Sequence, residues 1–378
     1  MSQRFDPIPE FHTRPTLVEP DGRSRWLHAG AWVTALSTFP LIFMGGLVTS
    51  HGAGMSVPDW PNSYGYNMFA FPFSQWLGPD KGGIFYEHAH RLLASFVGFL
   101  AIIVTVLAWR TEHRPWVRWL ATGVLGAVIA QGVLGGLRVV WVDLKLAVVH
   151  ACFAQAFFCL ATLLVIVTSN WWYRQSPALI TLKRGRFLII ACVAATGVVY
   201  LQLIVGALMR HYNAGLAIPD LPFAYGQLLP PVSQAGLDAA NKVRVWTLHM
   251  DRVDSLTQIW LHFGHRVGAI FVTSAILTLA GTIFARHRAD RVLLPWAALL
   301  VCLLATQVTL GVYTVLRGKP ADIATLHVAC GALVLVTCFT MTIMAFRLYW
   351  ARPIRAREMT EPDAPRARPA DLVMPGIG

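Results

Sequence analysis

Apolar residues run in long blocks separated by short polar links through most of this chain. Reading with a window of about 19 residues, the blocks stand at 29–50, 83–109, 116–139, 144–169, 187–209, 258–285, 292–316 and 322–350. At about 1.5 Å of rise per helical residue, each is long enough to cross roughly 30 Å of hydrocarbon. The pattern predicts an all-α integral membrane protein of eight transmembrane helices.

Composition agrees. Of 378 residues, 56% are hydrophobic and 13% are charged, about half the roughly 25% charged share of a soluble domain, which excludes a water-soluble globule. The net charge of +12 suggests nucleic acid at first sight. However, the basic residues sit in short links and in the last thirty residues, without interleaved aromatics. Arg110, Arg114 and Arg118 follow the second block; Arg174, Lys183, Arg184 and Arg186 follow the fourth; Arg286, Arg288 and Arg291 follow the sixth; Arg352, Arg355 and Arg357 follow the eighth. By the positive-inside rule these face the cytoplasm, with both termini inside and the long links 51–82 and 211–257 outside. Membrane lipid, not nucleic acid, is the expected surrounding. The polar start carries Asp6, Glu10, Glu19 and Asp21, unlike a cleavable signal or an acid-poor transit peptide, so a bacterial inner membrane is expected. All six cysteines fall inside the blocks without CxxC spacing and read as buried small hydrophobes.

The chain repeats itself. GLVTSHGAGMSVPDWPNSYG from Gly46 recurs as ALMRHYNAGLAIPDLPFAYG from Ala207. His90-Arg91 then meets His265-Arg266, Gln131 and Gly135 meet Gln307 and Gly311, and His150 meets His327. Four spans therefore repeat as four, and an even number of crossings gives both copies one orientation, a parallel repeat. The expected architecture is two four-helix bundles, at 29–169 and 187–350. They are joined by a cytoplasmic linker at 170–186 and flanked by cytoplasmic tails at 1–28 and 351–378, the latter disordered. The two PDxPxxYG segments cannot continue a helix and read as structured turns outside the membrane or as lids over a site.

Of thirteen histidines, five are counted well inside spans: His90, His150, His262, His265 and His327. An ionisable side chain in hydrocarbon is costly and faces the bundle interior or a partner. Four of the five stand at repeat-equivalent places, about 8–12 Å below one surface. His90 with His150, and His265 with His327, can each present two imidazoles to opposite faces of a flat macrocycle, as haem iron requires. Zinc would want four converging ligands, and no cysteine shares this level. One turn before the ligands the halves differ, with Glu87 in the first and His262 in the second. A carboxyl beside one haem only suggests chemistry at the first site and a resident cofactor at the second; alternatively Glu87 caps the start of its helix, where the dipole favours a carboxylate. Arg91 and Arg266 could pair with haem propionates, or Arg91 with Glu87.

GGLVTSHGAGMSVPDWP, EHAHRLLA, HFGHR and the spans of His150 and His327 together resemble the haem A synthase family over nearly all of 29–350. The resemblance implies oxidation of the C8 methyl group of haem O to the formyl group of haem A for terminal oxidases. It assigns His265 and His327 to a haem b cofactor, His90 and His150 to the substrate haem, and the essential carboxylate to Glu87. A haem O synthase and an electron acceptor are candidate partners. Some members carry a cysteine pair in the first outer loop; 51–86 has none here, so no thiol step can operate there. The alternatives are a two-haem electron-transfer protein of the cytochrome b type and a haem-handling transporter.

The charge pattern predicts that Gln234→Cys reacts with a membrane-impermeant thiol reagent in intact cells. Labelling only after lysis would reverse the topology.

Overall fold

A computed structural model describes residues 24–174, 182–287 and 290–350. The N-terminal tail up to residue 23, the centre of the expected linker and the C-terminal tail with its arginines lie outside the described residues. Eight long helices account for most of the rest: α1 (Arg25–Ser50), α2 (Gly82–Thr111), α3 (Pro115–Val140), α4 (Leu144–Thr168), α5 (Leu182–His211), α6 (Leu256–Arg286), α7 (Leu293–Leu316) and α8 (Ala321–Tyr349). All eight are long and apolar enough to cross a membrane. They begin where local chemistry satisfies the first free N–H groups. The Ser24 hydroxyl accepts from Leu27 N at 3.2 Å, Asp143 accepts from Lys145 N and Leu146 N, Ser255 and Gln258 form a capping box, and Pro115 opens α3.

In each half the helices close a ring: α1 packs on α2 and α4, and α3 on the same two, while α5 packs on α6 and α8, and α7 on the same two. The halves meet through α1 on α8, α4 on α8 and α4 on α5. The central position of α4 and α8 shows in their burial. In their most apolar stretches 56% and 72% of residues are buried, against 11–39% for the other six. On the remaining helices large side chains such as Phe99, Ile102, Ile270 and Phe271 face outward, as a lipid-facing surface requires.

The largest buried core of each half is displaced toward one end, and a smaller cluster around Ile218 and Ile259 lies at the other. In the first half, Leu27, Val104, Val117, Val124 and Leu164 pack together; in the second, Leu188, Ile276, Leu279, Leu300 and Met341 do. These residues come from the beginnings of odd-numbered helices and the later parts of even-numbered ones, the end that carries the short links. A polar network closes the same end. Arg114 pairs with Glu112 at 2.8 Å and donates to Val167 O, and Tyr173 donates to Glu112. Burial favours the protonated form of Glu112, but Arg114 prevails and holds the carboxyl below its ordinary value.

Of the cysteines, Cys159, Cys192, Cys330 and Cys338 are buried, Cys152 is partly so, and Cys302 is exposed. The expectation of uniformly buried thiols therefore fails at Cys302, which falls on a side of α7 not covered by protein.

Candidate functional site

His90, His150, His265 and His327 all lie within the first three turns of α2, α4, α6 and α8. They are at the end opposite the cores. Each imidazole rests against a glycine of the preceding helix. A Cβ added at Gly45 on α1 would lie 3.1 Å from His90 Cε1; at Gly135 on α3, 2.9 Å from His150 Cε1; at Gly206 on α5, 3.2 Å from His265 Cε1; at Gly311 on α7, 3.0 Å from His327 Cε1. A Cβ would force a shift at Gly135 and press on the ring at the other three, so the same seat is built four times. All four residues are intermediate in burial.

Hydrogen bonds orient the rings. His327 Nδ1 is 3.1 Å from Gln307 O, and the Gln202 amide nitrogen is 3.1 Å from His265 Nδ1 while donating to His265 O at 2.7 Å. In the first half Gln131 donates to His150 O at 2.9 Å, and the backbone carbonyls of Leu41 and Gln131 face the His90 and His150 rings. The His265 and His327 ring centres are 6.3 Å apart.

Above this level the two PDxPxxYG segments fold alike. Asp59 accepts from Tyr64 N and Gly65 N, and Asp220 from Tyr225 N and Gly226 N, all at 2.8 Å. The turn needs φ of 51° at Tyr64 and 78° at Gly65, with 56° and 75° in the second copy; the carboxylate helps to hold the tyrosine in that strained region. Tyr64 donates back to Ser56 O, and Tyr225 to Ala217 O. Burial favours protonated Asp59, yet the N–H groups of Gly65 and Tyr64 and the charge of Arg91 keep its pKa below the ordinary value. That contribution to stability is complete above the unfolded carboxylate's pKa of about 3.9 and is lost as pH falls through the folded value.

Arg91 and Arg266 pin these loops. Arg91 donates to Asp59 O (2.6 Å), Asn62 O (3.0 Å) and Val57 O (2.6 Å); Arg266 donates to Asp220 O (2.8 Å), Phe223 O (3.0 Å) and Ile218 O (2.8 Å). Both guanidiniums are turned to loop carbonyls, and Arg91 also pairs with Glu87 at 2.9 Å. Glu87 is 2% exposed, and its other oxygen accepts from Val57 N at 2.9 Å. His262, 3% exposed, does the same for Ile218 N with Nδ1 at 3.1 Å. Two different side chains thus satisfy one repeated backbone N–H.

Sequence reasoning passed over His88, which is 1% exposed, in edge and tilted contact with Phe71 and Trp76, with Nδ1 3.2 Å from Ser63 Oγ. It secures the first loop to α2. Its place within EHAHR, two residues before His90 and on another side of the helix, was the available signal.

The His265–His327 pair suits a flat macrocycle. Among the described residues no three His, Cys, Asp or Glu side chains converge as a bare ion would need, whereas a porphyrin brings four nitrogens and asks for two. Two metal–imidazole bonds of about 2 Å each place the ring centres about 6 Å apart, the separation seen for His265 and His327.

Fold and site define a multi-pass membrane protein with paired imidazoles at one end of its helices. Residues 28–339 match the COX15-CtaA family, cytochrome oxidase assembly protein, and the chain belongs to that family. It is similar to the protein named heme A synthase in Shewanella oneidensis, with 27% identity over 82% of this chain and 93% of that one. Those of Shouchella clausii (29% identity; 75% and 85%) and Geobacillus kaustophilus (26%; 90% and 98%) are also similar.

The glycine seats make a direct prediction. Gly311→Val or Gly135→Val should lower stability in detergent by about 1–3 kcal/mol through overpacking against the imidazole. Gly98→Val on α2, where an added Cβ meets nothing within 4 Å, should leave the thermal midpoint nearly unchanged. Equal shifts in all three would remove the seats' significance.

Proposed function

We propose that this protein is a haem A synthase, an oxidoreductase of a bacterial inner membrane that converts the C8 methyl group of haem O to the formyl group of haem A. The observation that carries this reading is the fourfold glycine-backed histidine seat, two in each half, in a chain of this family. His265 and His327 would hold a resident haem b, and His90 and His150 would face the iron of the substrate haem. Haem b supplies redox chemistry that side chains lack. The chain supplies the rest: imidazoles held by Gly45, Gly135, Gly206 and Gly311 fix where each ring points, the Arg91- and Arg266-pinned loops close the end over the histidines, and the apolar outer faces admit a lipid-soluble substrate.

Glu87 lies one turn from His90. Its role at Val57 N and Arg91 fixes its position, and a carboxylate so placed can accept or pass protons released by oxidation. His262 shows that the loop N–H does not itself require a carboxylate, so Glu87, beyond its pairing with Arg91, is the group we assign to the chemistry of the first half.

Pigment extracted from purified protein tests the reading: haem b together with haem O, a hydroxylated intermediate or haem A supports it, and haem b alone supports an electron carrier. His265→Ala and His327→Ala should lose haem b. His90→Ala and His150→Ala should largely retain it while stopping turnover; the opposite pattern exchanges the two sites.

Glu87→Gln keeps an acceptor for Val57 N but cannot titrate. It should fold and retain haem b while haem A formation falls by about 10²-fold or more. Haem A made at the wild-type rate would leave Glu87 as a pin for the loop.

A further inference from the structure

Among the described residues, three cations at the histidine end make no ion pair with a carboxylate, although the charge of Glu87, itself paired with Arg91, also acts on Arg138. Arg138 lies on α3 one turn beyond Gly135, the seat of His150, and Arg210 lies on α5 one turn beyond Gly206, the seat of His265. The repeat relates neither to the other. The correspondence of Gln131 and Gly135 with Gln307 and Gly311 sets Arg138 against Thr314, and that of Gly46 with Ala207 sets Arg210 against Thr49. Each half has therefore placed an arginine at this depth independently, on a different helix. Lys319 joins them from the link between α7 and α8. The loop glycines make room for two of the three: a Cβ at Gly54 would meet Arg138 Nη2 at 3.3 Å, and one at the equivalent Gly215 would meet Lys319 Cδ at 3.2 Å.

Charge balance at this end is incomplete. Glu87 is engaged by Arg91 and Val57 N, Asp59 and Asp220 cap the loop turns, and Asp143 caps α4. Among the described residues no carboxylate pairs with Arg138, Arg210 or Lys319. Arg210 donates to Gly46 O and Ser50 Oγ, both neutral. Arg138 lies near enough to His90 and His150 for its charge to act on both, and Arg210 likewise on His327 and Lys319. Desolvation first, and the charge of Arg210 second, lower the Lys319 ammonium from its ordinary value. Mutually repelling cations at the edge of a membrane are costly unless an anion joins them. Arg91 and Arg266, the sequence-level candidates for that anion, are turned to loop carbonyls instead.

We infer that Arg138 anchors the propionate carboxylates of the macrocycle between His90 and His150, and that Arg210 with Lys319 anchors those of the macrocycle between His265 and His327. This rests on the proposed haem-binding reading. With the iron at the level of the imidazoles, a propionate edge directed toward the loops meets side chains that start one turn, about 5 Å, farther along. Arginine suits the task because its planar fork grips a carboxylate through two parallel bonds.

The test crosses a change in the protein with a change in the ligand. Full-length apoprotein from a haem-deficient host is titrated with iron protoporphyrin IX and with its dimethyl ester, which keeps the iron and ring but has no carboxylates. Binding is followed by the Soret band of the bis-imidazole complex, and the sites are distinguished in His90→Ala and His265→Ala backgrounds. Wild type should favour the diacid by about tenfold or more at each site. Arg138→Gln should shrink that ratio at the His90–His150 site and Arg210→Gln at the His265–His327 site, with ester affinity unchanged; Arg210→Lys and Arg138→Lys should restore much of it. A merely structural arginine would weaken both ligands equally, and a ratio that survives either glutamine variant overturns its assignment. Should a glutamine variant fail to fold, a wild-type ratio near one still overturns the inference. Absence of a bis-imidazole spectrum with either ligand would instead sink the haem reading itself, and the inference with it.

Discussion

An imidazole inside an apolar helix bundle must be held in one orientation, and the structure meets that demand by removing a side chain from the helix next door. Glycine on an odd-numbered helix lets the imidazole of the following even-numbered helix lie against backbone, with contacts of 2.9–3.2 Å to a notional Cβ. This pairing dictates the close approach of α1 to α2, α3 to α4, α5 to α6 and α7 to α8. The two largest cores lie at the other end, while a smaller one around Ile218, Leu237 and Ile259 packs the second loop. Leucine and valine fill the short-link end of each ring, whereas at the histidine level each imidazole meets a glycine. Packing density is thereby divided between an end that stabilises and an end that can receive a flat ligand.

The loops show how a duplicated element keeps its backbone while its chemistry changes. Both copies present the same N–H to the first turns of α2 and α6, and both are fixed by an arginine that directly follows a histidine ligand candidate. In one half the acceptor is Glu87, in the other His262. A buried carboxylate needs a counterion, and Arg91 serves as one at 2.9 Å while still holding three loop carbonyls. A neutral imidazole needs none, so Arg266 makes only the carbonyl contacts. The asymmetry visible in sequence is thus built on a shared structural duty, and any catalytic duty of Glu87 is added to it.

Much of this was legible beforehand. Eight spans, the four repeat-equivalent histidines and the loop turns follow from periodicity, hydropathy and self-similarity, because each is a local property. What was not legible is tertiary. Nothing in the spacing of EHAHR says that His88 is packed among Phe71 and Trp76 while His90 faces Gly45, and nothing in HR says that the arginine turns to carbonyls some thirty to fifty residues earlier in the chain. Ser63, an ordinary loop residue by sequence, is fully buried because it meets His88. Cys302 is apolar by position but lies outside the packed faces of α7. In each case the deciding partner is distant along the chain.

The contacts between halves argue against treating them as separable modules. Arg210 belongs to α5, yet two of its hydrogen bonds go to Gly46 O and Ser50 on α1. Ser50 in turn meets Thr325 on α8 at 2.9 Å, and a Cβ at Gly46 would lie 2.8 Å from the methyl of Thr325. Farther along the same interface, Tyr200 on α5 donates to Cys152 O on α4. A lone second half would leave a guanidinium facing lipid without those acceptors, and a lone first half would expose the flank of α4, its most enclosed helix. The arginine that stands one turn from the His265 seat is held by the opposite half, so the geometry at one histidine pair depends on the helix that carries the seat of the other pair.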